Sequence, residues 1–596
     1  MTSQHTVATS VGHEPPKNRS QKIALTRLIR QLGIAAKSSR VGPEAVVGTA
    51  LAGWCGEDYP ALPTPNLRTS KRLAQSPQLA AFVQALRSLD FLEASYWLSS
   101  AYSMLCENSY RKELAMFFTP VSITRGLLMD MEDQGVDFGT QSFMDPACGG
   151  AAFLAPIALR MKTALSAKGY SDRAVLEHVE AHLFGTDLDT SLCELSQHFL
   201  RMALHGEILR TGYQPTFKVS RANSLLGLEA MYGTLDVVIC NPPYRKMNAE
   251  ELLPLRTAYQ EMFESQPNLY GLFIGLSVKL LKEGGRAALV TPTSFLSGQY
   301  FSKLRTFLMH NTYIEHIGMV SDRMGVFIDV EQETALTLLQ RRGTPHFGET
   351  TAKVSVVSTK GEYTDVGPST LPNSGATWPI PRAVSDVPLL QAAGRSSFRL
   401  VDYGYRTRIG AFVWNRDERP TFESADVVRR EKRKTAVPLL WSSDISLSGE
   451  VAFDELQANP GEHRFVDLGS RTHSSVILKP SVVLQRVTSN SQARRLVAAA
   501  TPQRLFDAFG GFVGENHVVV LEPIGDDPVL TPHEMAHLLS VEAVDRCFRC
   551  ISGATNVSAF ELGQLPLPNP AELRTLLASG LSISEAVNRT YGLSHT

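Results

Sequence analysis

The stretch Leu235-Asp236-Val237-Val238-Ile239-Cys240-Asn241-Pro242-Pro243-Tyr244 reads as a strand that stops at two prolines. Val237 to Cys240 is apolar and rich in β-branched residues, as expected for a strand buried in a parallel sheet. Pro242 and Pro243 have no N–H to give to a ladder, and Pro243 pushes Pro242 towards extended backbone. Asn241 therefore stands at the carboxyl end of the strand, where open α/β sheets bind their ligands. An amide, a stiff backbone carbonyl and an aromatic ring project there side by side. The set suits a planar ring bearing an exocyclic amine. The Asn241 side-chain oxygen and the Pro242 carbonyl each accept one N–H, and Tyr244 stacks on the ring. Such an amine is a poor nucleophile because its lone pair is delocalised into the ring. Two acceptors aimed out of the ring plane draw it towards sp3 geometry, which is electrostatic preorganisation. The bland alternative is a strand-terminating turn with a solvated tyrosine.

Three earlier strand ends carry polar groups in the same way. Phe143-Met144-Asp145-Pro146-Ala147-Cys148-Gly149-Gly150-Ala151-Ala152-Phe153 is a short strand, a turn of small residues and the start of a helix. Small residues let the backbone approach a ligand, and helix N-terminal N–H groups face it. The turn lacks the G-x-G of a dinucleotide site, and its leading Asp145 suits a positive amino group where a pyrophosphate site would not. Leu183-Phe184-Gly185-Thr186-Asp187-Leu188-Asp189 is a strand ending in a carboxylate, the usual acceptor for sugar hydroxyls in doubly wound folds. Phe217-Lys218-Val219 leads to Ala222-Asn223-Ser224-Leu225, a strand end with an amide that can read an adenine edge. About 25 residues before the glycine turn, Phe117-Phe118-Thr119-Pro120 precedes an amphipathic helix over 121–131. Thr119 or Ser122 can cap that helix, and Pro120 fits an early helical position.

The elements that must position these groups alternate strand and helix over 111–342. A helix is expected from Leu269 to Leu281, closed by a glycine cap at Lys282-Glu283-Gly284-Gly285, then strands at 286–290, 314–319 and 334–339 with a helix at 299–309. Residues 1–20 are polar and read as loose. Residues 21–110 read as a helical packing region, with one stripe at Ile23, Leu25, Leu28, Ile29, Leu32 and Ile34 and a longer one from Leu79 to Leu105. Residues 343–380 read as a connector or as the start of a second β-rich unit. Residues 381–596 form a separate region of short strands and helices. It carries basic groups (Arg429, Arg430, Lys432, Arg433, Lys434, Arg486, Arg494, Arg495) with aromatics and amides among them (Phe412, Trp414, Asn415, Trp441, Asn490, Gln492, Asn516, His517). Such runs are either solvated faces or groups that read base edges.

The chain of 596 residues is too long for one core. Hydrophobic content of 43% with 20% charged residues is that of a soluble globular protein, and the net charge of −1 confines any nucleic-acid surface to a local patch. The seven cysteines are scattered, and the single C-x-x-C at Cys547 and Cys550 has no second pair, which argues against zinc. No apolar run near the N-terminus resembles a signal peptide, and no stretch of ~20 apolar residues is present, so the expectation is a cytoplasmic protein without a membrane span.

Taken in order, these pieces resemble the gamma-class adenine-N6 DNA methyltransferases, the modification methylases of bacterial type II restriction–modification systems. The resemblance covers 111–342 and, more loosely, 400–568. It implies an α/β fold: a Rossmann-like S-adenosylmethionine-dependent methyltransferase domain (111–342), an N-terminal helical region (1–110), a connector (343–380) and a C-terminal α+β target-recognition domain (381–596). Phe117, Phe118, Thr119 and Pro120 are similar to the cofactor motif that precedes the glycine turn, and Asp145, Ala147, Cys148 and Gly149 to the turn itself. Asp187 matches the carboxylate on the ribose, Leu188 the apolar residue on the cofactor's adenine, and Asn223 with Ser224 the polar edge. Asn241, Pro242, Pro243 and Tyr244 match the catalytic motif, in which Asn241 also borders the cofactor. Phe327, after Val326, looks like the second aromatic against the base, and Gly511 to His517 and Ile551-Ser552-Gly553 resemble recognition segments. The turn departs from the family, which continues with Ser/Thr-Gly where this chain has Gly150-Ala151. The long span from Asp145 to Asp187 implies an extra helix.

The resemblance implies methyl transfer from S-adenosyl-L-methionine to N6 of an adenine turned out of duplex DNA, at a specific short recognition sequence. It implies no metal and no membrane, with protection from a cognate restriction endonuclease as the purpose. The alternatives are a bifunctional restriction–modification enzyme, a methyltransferase subunit of a larger defence complex, an RNA or protein-glutamine methyltransferase, and a DNA-binding module with an inactive core.

Overall fold

The apolar runs become the strands of one sheet: β1 (Phe143–Asp145), β2 (Leu183–Asp187), β3 (Lys218–Arg221), β4 (Leu235–Cys240), β5 (Leu281–Pro292), β6 (Thr312–Val320) and β7 (Thr334–Arg341). These come from a computed structural model that describes residues 16–265, 267–320, 333–457, 459–488, 492–552 and 556–593. These seven are consecutive members of a nine-stranded sheet, in the order β3-β2-β1-β4-β5-β7-β6. Neighbours from β3 through β5 are parallel, and β7 is antiparallel to both β5 and β6. The chain winds outward from β1 to β3, then returns to start again at β4 beside β1. That reversal leaves a crevice at the carboxyl ends of β1 and β4.

The chain divides into two units. One comprises the chain up to Pro292 with Phe307–His346 and Ser355–Thr364; the other comprises Thr293–Thr306, Phe347–Val354 and Asp365–Thr596. These divisions differ from the boundaries at 110, 342 and 380 read from the sequence. The N-terminal helices are part of the first unit, because their apolar faces and the sheet share one core. Ile29, Trp54, Phe82 and Trp97 belong to the same buried cluster as Phe143, Val237, Ile239 and Leu338.

Several local expectations are corrected. Of the first stripe, Leu25, Ile29 and Leu32 are buried, whereas Ile23 is 62% and Ile34 71% exposed. The stripe from Leu79 to Leu105 is two helices, Pro77–Arg87 and Phe91–Leu105, because Asp90 accepts the N–H groups of Leu92 and Glu93 and starts a new one. The helix Leu269–Leu280 has no glycine cap; the chain turns directly into β5, and Gly284, at φ +75°, lies within that strand. Pro120 is itself the N-cap residue of the helix Val121–Asp133 and makes no side-chain cap. Two helices, Leu154–Ala167 and Asp172–His182, fill the span between β1 and β2.

The second unit builds two small four-stranded sheets. One pairs Tyr405–Ile409, Val518–Pro523, Val482–Gln485 and Ala498–Ala500; the other pairs Thr421–Phe422, Phe465–Asp467, Ala436–Leu440 and Val513–Gly514. Helices from Pro532–Ser540 to Ile583–Thr590 pack their apolar sides into its core. Cys547 and Cys550 are both buried free thiols. Phe327, Asn490 and Gly553 lie outside the described residues. No described helix is long and apolar enough to cross a membrane.

Phe143 opens β1 fully buried and stacks on Phe138, with ring centroids 4.9 Å apart and planes 7° from parallel. Phe143→Ala is expected to cost about 3–5 kcal/mol in urea unfolding of the full chain. A loss below about 1 kcal/mol would mean that the ring is not holding β1 in the core.

Candidate active site

The crevice at the carboxyl ends of β1 and β4 is a cavity of about 300 Å³, within the first unit. Its floor is the turn after β1, from Asp145 to Gly149. Asp187 and Leu188 follow β2, Asn223 and Ser224 follow β3, and Asn241 and Pro243 follow β4. Residues 114–119 form one wall, and Arg245, Met247 and Glu251 contribute to another. Residues far apart in sequence, Phe117, Phe118, Thr119, Asp145, Ala147, Cys148, Gly149, Asp187, Leu188, Asn223, Ser224, Asn241 and Pro243, thus border one space. Pro120, Pro242 and Tyr244 are not in its lining.

The glycine turn explains its own composition. Gly149 adopts φ +51°, and a Cβ there would lie 2.9 Å from the Phe118 ring. Only glycine combines that backbone with that contact. At Gly150 a Cβ would stand 1.9 Å from the Ser99 hydroxyl of the helix Phe91–Leu105. The Ser or Thr common at this place in the family has no room here, because an N-terminal helix occupies it. The next residue, Ala151, takes φ +60°. The Gly149 carbonyl accepts the Ser196 hydroxyl at 2.7 Å, which pins the turn from beneath.

Asp145 is buried and accepts the Ala147 N–H at 3.0 Å. Burial pushes its carboxyl well above the usual range, and the Asp187 charge adds to this. Asp187 accepts the Gly149 N–H at 3.0 Å with one oxygen and the Asp189 N–H at 2.9 Å with the other. Burial raises it to about 6 despite these donors. The cavity wall holds three carboxylates, Asp145, Asp187 and Glu251, and one guanidinium, Arg245. That guanidinium grips Glu251 with two nitrogens at 2.7 and 3.0 Å. The remaining pair, Asp145 and Asp187, suits a ligand that carries positive charge and hydroxyl groups. Leu188 and Leu226 leave 46% and 44% of their surface open and both line the cavity, which suits an apolar or aromatic ring.

Asn223 caps the short helix Ser224–Gly227 through the Leu225 N–H, 3.2 Å from its Oδ1, which leaves its amide nitrogen for a ligand edge. Ser224 is different: its hydroxyl donates to the Pro146 carbonyl at 2.6 Å and lies 2.7 Å from the Thr186 hydroxyl. It ties β2 to the turn after β1, so its side chain is structural.

Asn241 is held at both ends of its amide. Its Nδ2 donates to the Thr119 hydroxyl at 2.9 Å and to the Phe117 carbonyl at 3.2 Å, and its Oδ1 accepts the Tyr244 hydroxyl at 2.7 Å. The Phe117 carbonyl can only accept, which fixes the orientation of the amide. Thr119, read from sequence as a possible helix cap, is instead a clamp on Asn241. The Tyr244 hydroxyl also lies 2.8 Å from the Val290 carbonyl, so its single proton is shared between two acceptors, and the ring meets Tyr270 edge-on at 6.0 Å. Its hydroxyl is turned inward, and burial holds that phenol well above its usual range. The ring itself is half-buried. What Tyr244 can offer a planar ligand is therefore ring surface, not its hydroxyl.

Sequence reasoning missed the wall formed by Leu114, Ala115 and Met116, and the Arg245–Glu251 brace. The brace had a signal: Asn248 and Glu251 form a capping box at the helix Ala249–Leu252. In the second unit, Arg495 is fully buried on Thr488 and Ser552, and Arg486 donates to the Asn516 carbonyl. Arg495 belongs to the interior framework and not to a nucleic-acid surface, whereas Arg486 is half-buried. Arg429 and Arg433 pair with Asp426 and with Glu431 and Asp467.

The strand order, with one antiparallel strand between β5 and β6 and a cavity where the order reverses, defines the Rossmann-like fold of S-adenosylmethionine-dependent methyltransferases. Residues 182–327 match the family described as Eco57I restriction-modification methylase. That segment holds Asp187, Asn223 and Asn241. The chain is 25% identical over 346 residues to the type II methyltransferase M.BsuBI of Bacillus subtilis, covering 56% of this chain and 64% of that protein. It is 24% identical over 353 residues to M.PstI of Providencia stuartii, covering 57% of this chain and 66% of that protein. The matches therefore span just under two thirds of these relatives. Among solved structures, the type IIL restriction-modification enzyme MmeI in complex with DNA aligns over 98% of this chain and 94% of that one, with TM-score 0.53 and 12% identity, a likeness of fold.

Because burial raises Asp187 above its ordinary carboxyl value of 3.8 to about 6, its ionisation opposes folding. Its contribution to stability is full below pH 4 and is lost as pH rises through about 6. The melting temperature of Asp187→Asn relative to the parent should therefore rise between pH 4 and pH 6 and level off above. A difference that stays flat or falls across that window would contradict the assigned burial of this carboxylate.

Proposed function

We propose that the chain is a modification methylase that transfers a methyl group from S-adenosylmethionine to the N6 amine of an adenine turned out of duplex DNA. The observation that carries this reading is the cavity shared by Asp145, Asp187 and Asn241, with carboxylates for a cationic, hydroxylated ligand at one side and a clamped amide at the other. The family match over residues 182–327 supports it.

The cavity's residues fit the cofactor. Asp145 faces its ammonium group, Asp187 accepts its ribose hydroxyls, Leu188 packs on its adenine and Asn223 meets the adenine edge. Phe117, Phe118, Ala147, Cys148 and Gly149 shape the space between. When bound, S-adenosylmethionine supplies an electrophilic methyl group on a sulfonium.

Everything else falls to the chain. The Oδ1 of Asn241 has two lone pairs; one is taken by Tyr244, and the other accepts an N–H of the target amine. The Pro242 carbonyl accepts the second N–H. Together they would hold the amine nitrogen with its lone pair free for the methyl donor, and proximity would supply much of the acceleration. Thr119 and Phe117 keep the amide from rotating, so its acceptor is already aimed when the base arrives. The amine would need no deprotonation before attack: as the N–C bond formed and the S–C bond broke, the surplus N–H proton would pass to solvent, so no side chain is assigned as a base. Tyr244 offers ring surface to the base. Pro243 stiffens the loop, and Phe327 remains the proposed second aromatic. The second unit is the proposed reader of a short recognition sequence, and a cognate restriction endonuclease is the proposed reason for the modification, in the cytoplasm where the DNA lies.

Asn241→Ala is expected to abolish methyl transfer while S-adenosylmethionine still binds within about threefold. The check is labelled S-adenosylmethionine offered with duplex DNA, RNA and protein, followed by mass spectrometry of the modified nucleosides. N6-methyladenine from duplex DNA is the expected product. Methylated cytosine, label in RNA or protein, or near-normal activity in the variant would overturn the reading. Cutting of duplex DNA on adding magnesium would revive a bifunctional enzyme.

A further inference from the structure

Asp189 lies two residues beyond Asp187 and is buried. Its Oδ1 accepts the Leu192 N–H at 3.0 Å and caps the helix Thr190–Ala203. Its Oδ2 accepts two phenol hydroxyls at 2.9 Å each: Tyr102, from the helix Phe91–Leu105, and Tyr110, from the helix Asn108–Leu114. Its backbone N–H donates to Asp187 Oδ1. Asp187 is thus oriented by one N–H from the glycine turn and by one from a residue that the N-terminal helices hold.

Helix capping accounts for one oxygen of Asp189 and no more. The other is withdrawn from water and given two phenols that come from 87 and 79 residues away in sequence. Without them a buried carboxylate oxygen loses its donors, a costly state. It escapes by swinging towards solvent. Swinging shifts the Asp189 backbone, and its N–H then leaves Asp187. The helix that carries Tyr110 also runs directly into residues 114–119, the wall that clamps Asn241. One fastening therefore reaches both ends of the cavity.

We propose that Tyr102 and Tyr110 are positioning residues for the cofactor: through Asp189 they hold Asp187 in the orientation that accepts the ribose diol. The proposal rests on the reading of Asp187 as the sugar acceptor. It gives the N-terminal helices a part in cofactor binding beyond packing.

The test uses the full chain with Tyr102→Phe and Tyr110→Phe together, which keeps both rings. Calorimetry measures binding of S-adenosylhomocysteine and of its 2′,3′-dideoxy analogue. The double variant should bind S-adenosylhomocysteine about tenfold more weakly, while the dideoxy analogue changes less than about twofold. Tyr110→Phe alone, at a half-open position, should give an intermediate loss of about threefold and serves if the double variant does not fold. Unchanged binding of S-adenosylhomocysteine overturns the proposal, and so does an equal loss for both ligands, which would mean general loosening of the cavity. Failure of the parent chain to bind S-adenosylhomocysteine at all overturns the cofactor reading, and the proposal with it.

Discussion

Two carboxylates in the wall of one cavity have no ion-pair partner among the described residues, and the rest of the site follows from that. Asp145 and Asp187 are both lifted by burial; the Asp187 charge raises Asp145 further, and the Asp189 charge raises Asp187. Their partners are backbone N–H groups from Ala147, Gly149 and Asp189. N–H donors orient a carboxylate without neutralising it. The arrangement suits a positively charged, hydroxyl-bearing ligand, and unusual backbone makes it. Gly149 and Ala151 both sit at positive φ so that the turn can bring an N–H onto Asp187 and leave space above it.

The reversal of strand order places the second half of the chemistry. Because β4 starts again beside β1, the end of a strand that begins at Leu235 lies next to the end of one that begins at Phe143. Asn241 is thereby brought to a cavity whose other groups come from Asp145, Asp187 and Asn223. The amide is then immobilised from outside the sheet, by residues 117–119. An amide free to rotate presents an N–H as readily as an oxygen. Clamping its nitrogen on Thr119 and Phe117 removes that ambiguity.

Much of this was legible in the sequence because strand ends in such sheets are local features. A β-branched run followed by two prolines needs no tertiary information, nor does a glycine turn with a leading Asp. What could not be read locally was anything set by contact between distant segments. The bar to a side chain at 150 comes from Ser99, and the clamp on Asn241 comes from Thr119. Ser224 looked like a ligand group and is a strut between β2 and the turn after β1. Tyr244 looked free to stack and has its hydroxyl bound at the end of β5. The N-terminal helices read as a separate packing region, since their stripes say only that they bury a face and not against what. They bury it against the same core as the sheet. Arg495 shows the same limit, because composition alone does not distinguish a guanidinium on a surface from one bonded inside.

The account depends on a cation lodged between Asp145 and Asp187 with its reactive end turned to Asn241. A crystal structure of the full chain with sinefungin, the amine analogue of the methyl donor, tests this most directly. The account predicts the ribose diol on Asp187, the amino-acid ammonium at Asp145 and the amine that replaces the sulfonium methyl pointing at the Asn241 side-chain oxygen. An analogue bound elsewhere, or bound in this cavity with that amine facing away from Asn241, would contradict it.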